Sequence, residues 1–324
     1  SGFEGITKLL CKPPTSSFYV MIGLKSCVPG IAGRCNDIIF KSSSSEPRKD
    51  ILIYFGGDVQ DFQENMHNHA DSKKYSEWCL ENTAQLLFSN FPSKDILIVR
   101  PSRMHLTFYA AFSCFDNFVA GKHTFGVPTF LPTIDALKHL RELLRYSLEQ
   151  LKACNPDEVY NIYPLFNINS LTYLENKKLS LMGFSKGCIV LNQFLHEFHY
   201  YQEKSDQDLE MNNFINQIQS MWWLDGGHGG SKDTWITNRD ILHSFAKLQI
   251  PAHVHVTPFQ IDDSHRPWIR NEEKTFCDTL KELDVVIQRT VHFTNIPRNI
   301  NSHFNVLKAV AVTYLSNNNG TAND

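Results

Sequence analysis

The residues Gly183-Phe184-Ser185-Lys186-Gly187 place a serine between two glycines. The apolar stretch "LSLMGF" precedes that serine, and a second apolar stretch, "CIVLNQFL", follows it. A tight strand-to-helix turn explains the pattern, because a Cβ at either flanking position would collide with neighbouring backbone. Such a turn lifts the Ser185 hydroxyl above the sheet and sets it at the positive end of a helix, where an oxyanion is stabilised. G-x-S-x-G alone is a weak signal; a strand before it and a helix after it are the context that gives it meaning.

A serine attacks poorly unless a histidine takes its proton and a carboxylate orients that histidine. In the chain order serine, acid, histidine, the acid is expected just past a later strand. Asp263, with Asp262 beside it, follows "AHVHVTPFQI". The base is expected after the last strand, and His303 stands there, ahead of "FNVLKAVAVTYL". Ser185, Asp263 and His303 are therefore the expected catalytic set. Asp225 competes as the acid from the preceding strand, since it ends "MWWLD" and opens "GGHGG"; His228 and His292 compete as the base.

An oxyanion hole takes one backbone N–H from the residue after the nucleophile, here Lys186, and one from the loop after the third strand. "ILIYFGGDVQ" supplies that loop: Gly56 and Gly57 let backbone approach a ligand, and Asp58 or Val59 would give the second donor. No G-x-G-x-x-G opens a helix there, so this is not a dinucleotide loop. His253 and His255 alternate on one strand face and read as packed histidines rather than a metal pair. His67 and His69 read as solvated loop residues. No metal and no cofactor are expected.

These groups need a scaffold. "FYVMIGL", "DIIF", "ILIYF", "DILIVR", "LSLMGF", "MWWLD", "AHVHVTPF" and "VVIQRTVHF" read as strands. Their continuous apolarity suits burial on both faces of a parallel sheet. Leu80, Ala84, Leu87 and Phe91 recur at helical spacing, as do Leu137, Leu140, Leu144, Leu148 and Leu151. Strands alternating with helices predict an α/β fold, of the α/β-hydrolase kind once the serine turn is included. The expected organisation is N-terminal strands and a polar connector over 1–50, the main domain over 51–316 with an insertion or cap near 153–178, and a disordered tail over 317–324.

Composition narrows the function. A formal net charge of −3 and no basic block argue against nucleic-acid binding. No run reaches the length of a membrane span. The eight cysteines are scattered without a C-x-x-C pair, which suits neither a zinc site nor a compact disulfide framework.

The blocks "GDVQ", "SRMHL", "DNFV", "GFSKGC", "WLDGGH", "TWIT", "HVTP" and "HF" resemble a family of mitochondrial proteins whose human member is the chromosome two open reading frame sixty-nine product. The resemblance runs from Gly57 to about Phe304. It implies an α/β-hydrolase fold and a mitochondrial location, and it carries Ser185, Asp263 and His303 into the family's shared blocks. Asp225 and His228 lie in the shared "LDGGH" block, with their role left open. The expected function is a serine hydrolase acting on a small-molecule or peptide acyl substrate: an ester, a thioester or a peptide. Trp222, Trp223, Trp235, Trp268, Phe112, Phe115 and Phe118 would line an acyl pocket or fill the core. The alternative is a hydrolase-fold module without turnover that binds protein partners.

Overall fold

The computed structural model describes residues 21–43, 50–121, 127–154, 174–204 and 208–319. Among these residues ten strands are formed: β1 (Met21–Pro29), β2 (Cys35–Ser43), β3 (Asp50–Phe55), β4 (Lys94–Val99), β5 (Arg103–Leu106), β6 (Ala111–Cys114), β7 (Lys178–Phe184), β8 (Ile218–Leu224), β9 (Ala252–Val256) and β10 (Ile287–Val291). Eight of them make one sheet in the order β1-β2-β4-β3-β7-β8-β9-β10, and β5 and β6 pair as a separate hairpin. Every strand of the large sheet is parallel to the rest except β2, which runs antiparallel to β1 and β4. This is the α/β-hydrolase fold.

The continuous apolar runs have a direct cause. Ile51, Ile53 and Phe55 of β3 pack into the core on one face of the sheet, and Leu52 and Tyr54 pack into the core on the other. β4 divides in the same way, with Leu97 and Val99 on one side and Ile96 and Ile98 on the other. Both faces are covered by helices, so no strand position can stay polar without cost. The helix after Ser185, Cys188–Glu203, is buried over most of its surface. Its Glu197 accepts the N–H groups of Ala136 and Leu137 at 2.7 and 2.8 Å. That carboxylate caps the start of the next long helix in space, Ala136–Cys154.

The β5–β6 hairpin was not foreseen from the sequence; its short strands sit outside the large sheet. The last helix, Ile300–Asn319, continues three residues into the stretch read as tail. The insertion expected over 153–178 and the polar connector fall mostly outside the described residues. Phe115 and Phe118 are buried core residues packed edge-on against Phe55, and Trp223 and Trp235 pack on Phe276. They form core rather than pocket wall. Cys27, Cys35, Cys79, Cys114, Cys188 and Cys277 are free thiols.

Candidate functional site

Phe184 of β7 lies opposite Leu224 of β8, so Ser185 and Asp225 each stand one residue past the paired ends of adjacent parallel strands. Both adopt left-handed backbone, with φ of 53° at Ser185 and 47° at Asp225. Non-glycine residues reach that region at a cost of about 1–2 kcal/mol and keep it only where the surroundings hold them there. At Ser185 the surroundings are tight. A Cβ on Gly187 would stand 2.0 Å from the Phe55 carbonyl oxygen, and one on Gly183 would stand 2.8 Å from Cys188 Cα. The two glycines permit the turn because nothing larger fits.

The carboxylate on His303 is that of Asp225. His303 Nδ1 and Asp225 Oδ2 are 2.7 Å apart, both groups buried. Thr257 completes the acid's shell: its N–H donates to Oδ1 at 2.7 Å and its hydroxyl to Oδ2 at 2.6 Å. Asp225 is thereby engaged by three partners, the Thr257 N–H, the Thr257 hydroxyl and the His303 ring. The His303 ring lies against Phe184, the residue before the serine, at 4.7 Å between centroids, and against Phe259 at 4.6 Å. No hydrogen bond joins Ser185 to His303. The histidine's Nε2 is the ring nitrogen left for a proton from elsewhere.

Asp263 was the expected acid, and the structure corrects this. It accepts from Arg266 Nε and Arg298 at 2.9 Å each and from the His265 N–H at 2.9 Å. Arg298 lies over Phe259, whose ring rests on His303, so Asp263 stands one layer behind the histidine. The reason is the short helix Pro258–Ile261, which carries the chain away from the sheet edge before Asp263 is reached. Asp262 is on the surface, paired with Arg270.

The other candidate bases are placed elsewhere. His292 Nε2 is 2.9 Å from His255 Nδ1, and that pair stacks with Trp222 and His253 in one layered row. Burial pulls His255 down to about 3 and His253 to about 4, so both are neutral. His228 is buried with its Nδ1 accepting the Gly230 N–H at 2.9 Å, and it holds no carboxylate. His69 is half-buried and bonds Thr107 O at 2.8 Å and Ser72 at 3.0 Å, while His67 is exposed. Among the described residues no three His, Cys, Asp or Glu side chains cluster as metal ligands would.

The loop after β3 lies against the serine. A Cβ on Gly57 would stand 2.7 Å from Ser185 Cβ. Two of its expected donors are already used: the Gly57 N–H bonds Gln60 Oε1 at 3.0 Å, and the Val59 N–H bonds Ala111 O at 3.1 Å. Among the described residues the Asp58 N–H is engaged by no acceptor. Gln60, buried, ties this loop down through Tyr54, Trp78 and Thr83. The Asp58 carboxylate faces Lys186 Nζ at 3.6 Å and accepts from the Ser113 N–H and hydroxyl at 2.8 and 3.1 Å. Burial pushes the Asp58 carboxyl upward, against the opposing pull of Lys186 and Ser113. Lys186 itself is buried. One ion pair thus links the serine turn, the β3 loop and the β5–β6 hairpin.

Gln60, Ser113 and Thr257 escaped the reading of the sequence, since none sits in a motif that names its chemistry. For Gln60 the shared block "GDVQ" was the available signal. Cys188, three residues from the serine, is an inert neighbour: burial pushes its thiol well up, and it donates to the Gly183 carbonyl at 3.2 Å.

Comparison with known proteins gives the chain relatives in one family. A profile of the C2orf69 family matches residues 25–162 and 148–286. The mouse protein named mitochondrial protein C2orf69 homolog is 35% identical over 323 residues, covering 87% of this chain and 85% of the mouse chain. The human mitochondrial protein C2orf69 is 35% identical over 298 residues, covering 82% of this chain and 75% of its own. Among solved structures, a fungal esterase from Rhizomucor miehei superposes with a TM-score of 0.40 at 10% identity, over 91% of this chain and 85% of the esterase. The esterase Est22 gives 0.43 at 13% identity, over 94% and 82%. By sequence similarity along most of its length, this chain belongs to the C2orf69 family of mitochondrial proteins.

Proposed function

We propose that the protein is a serine hydrolase of the mitochondrion, with Ser185 as nucleophile, His303 as general base and Asp225 as the acid that orients it. The Ser185 oxygen attacks the substrate's carbonyl carbon while His303 Nε2 takes the hydroxyl proton. Asp225, bonded to Nδ1, holds the tautomer that leaves Nε2 free to accept and stabilises the imidazolium that forms. The backbone N–H groups of Lys186 and Asp58 would meet the oxyanion. The imidazolium returns its proton to the leaving group as the carbonyl–heteroatom bond breaks, and water releases the acyl group by the same steps in reverse. Ester, thioester and peptide substrates all fit this chemistry.

The observation that carries the proposal is the buried Asp225–His303 pair held beside a serine in strained backbone. A buried polar pair so placed is expensive unless it works. The test is labelling by a fluorophosphonate probe. Covalent modification of Ser185, lost in Ser185→Ala, supports turnover. Silence across a broad pH range leaves a hydrolase fold that binds without reacting.

A further inference from the structure

The two N–H groups assigned to the oxyanion belong to separate loops, one after β3 and one after β7. Those strands are parallel neighbours, with Phe55 opposite Gly183. The loops they feed touch closely: a Cβ on Gly187 would stand 2.7 Å from the Gly56 carbonyl oxygen, and one on Gly57 would stand 2.7 Å from Ser185 Cβ. Along the β3 loop the donors on either side of Asp58 are tied, Gly57 to Gln60 and Val59 to Ala111 of β6. Val59 keeps a φ of 64°, which a β-branched residue holds only where its surroundings fix it. Among the described residues the Asp58 N–H bonds no acceptor.

The Asp58 side chain is held from two sides. Ser113, two residues beyond Ala111 on β6, gives its Oδ1 an N–H at 2.8 Å and a hydroxyl at 3.1 Å. Lys186 Nζ stands 3.6 Å from the same oxygen. Lys186 is fully buried, and a buried ion pair is seldom worth more to stability than apolar side chains of the same size. What this pair adds is geometry. It ties together the side chains of the two residues whose backbone N–H groups would meet the oxyanion.

Resting on the hydrolase reading above, we infer that the side chains of Asp58 and Lys186 are positioning groups for the oxyanion hole: their link, anchored on Ser113 of the β5–β6 hairpin, fixes the two backbone N–H groups relative to each other. Neither side chain takes part in bond making or proton transfer.

Two measurements test it. The first is inhibition of p-nitrophenyl butyrate hydrolysis by a short alkyl trifluoromethyl ketone and by the matching methyl ketone. The trifluoromethyl ketone's carbonyl adds the Ser185 oxygen while His303 takes the proton, giving an oxyanion; the methyl ketone binds without reacting. Asp58→Ala and Lys186→Met should each weaken inhibition by the trifluoromethyl ketone at least tenfold and change that by the methyl ketone less than threefold. Asp58→Asn, which keeps an oxygen for Ser113 and Lys186, should return the first constant to within threefold of the wild type. A folding defect lowers the amount of active protein and leaves both constants where they were, so it does not imitate this pattern. Both constants unchanged, or both weakened together, overturn the inference. The second measurement needs no turnover: amide hydrogen exchange read by mass spectrometry. In Asp58→Ala the segments 56–59 and 184–187 should both exchange at least tenfold faster while β8 keeps its rate. Faster exchange in 56–59 alone, or across the whole sheet, counts against the link. If the wild type neither cleaves the ester nor takes a fluorophosphonate, the hydrolase reading fails, and the exchange result alone decides whether the link holds the two loops together.

Discussion

Asp225 Oδ2 and His303 Nδ1 meet at 2.7 Å across 78 residues of chain. Thr257 fastens the carboxylate with two further bonds, one to each oxygen. The carboxylate that meets His303 therefore leaves the sheet from β8, next to the serine's own strand, and not from beyond β9. Asp225→Asn should cut hydrolysis by about 10⁴-fold, because the amide favours the wrong histidine tautomer. Asp263→Asn should cost less than tenfold in activity. It should instead lower stability by about 1–3 kcal/mol, since two arginines lose their carboxylate. Kinetics paired with urea unfolding separate the two; the reverse pattern would restore Asp263 as the acid.

The left-handed backbone at Ser185 gives a second test. Ser185→Ala should abolish hydrolysis yet change stability by less than about 1 kcal/mol, because the side chain is small and fills little apolar space. Ser185→Gly should be equally inactive and at least as stable as Ser185→Ala, since glycine adopts positive φ without strain. A glycine variant clearly less stable than the alanine one would mean that the turn stores no strain.

The Lys186–Asp58–Ser113 link should matter unequally to its members. Asp58→Ala takes the carboxylate from a buried ammonium and should destabilise by about 1–3 kcal/mol, less than a fully buried pair would lose, because Asp58 is a third exposed. Lys186→Met keeps the volume and leaves behind a carboxylate that water can reach, so it should cost less. Thermal unfolding of the two variants checks the order.

Stability should decline on acidification from pH 6.5 to 5.5. Burial pulls His139 and His253 to about 4 and His255 to about 3. Across that window the unfolded chain binds protons at these histidines, near their ordinary value of about 6.5, while the folded chain does not. Their contribution is fully present above the unfolded value and is lost as pH falls toward the folded one, by up to about 1.4 kcal/mol per pH unit for each histidine. Glu197, raised by burial to about 7, acts in the opposite sense, as do Asp58 and Glu272, whose carboxyls burial also raises. Urea titrations at both pH values should show the net loss; a rise would mean that these histidines are charged in the fold.

The strands of the large sheet and the serine turn were legible in the order of residues. Apolar runs such as "ILIYF" and glycines at 183 and 187 are local statements: a strand buried on two faces favours apolar residues throughout, and a crowded turn tolerates no Cβ. His303 was legible for a related reason, since its place ahead of the closing helix is a matter of chain order. Which carboxylate meets His303 was not. Asp225 and Asp263 both follow strands, and what separates them is the register that sets Leu224 beside Phe184, together with the four-residue helix that turns the chain away before Asp263. The donors of the β3 loop were undecided for the same kind of reason. Whether Gly57, Asp58 or Val59 offers its N–H depends on where Gln60 and Ala111 come to rest, and those contacts exist only once the hairpin has packed. Side chains that meet across the fold carry no signal in the order of the chain; tertiary packing alone brought Thr257 to Asp225 and Ser113 to Asp58.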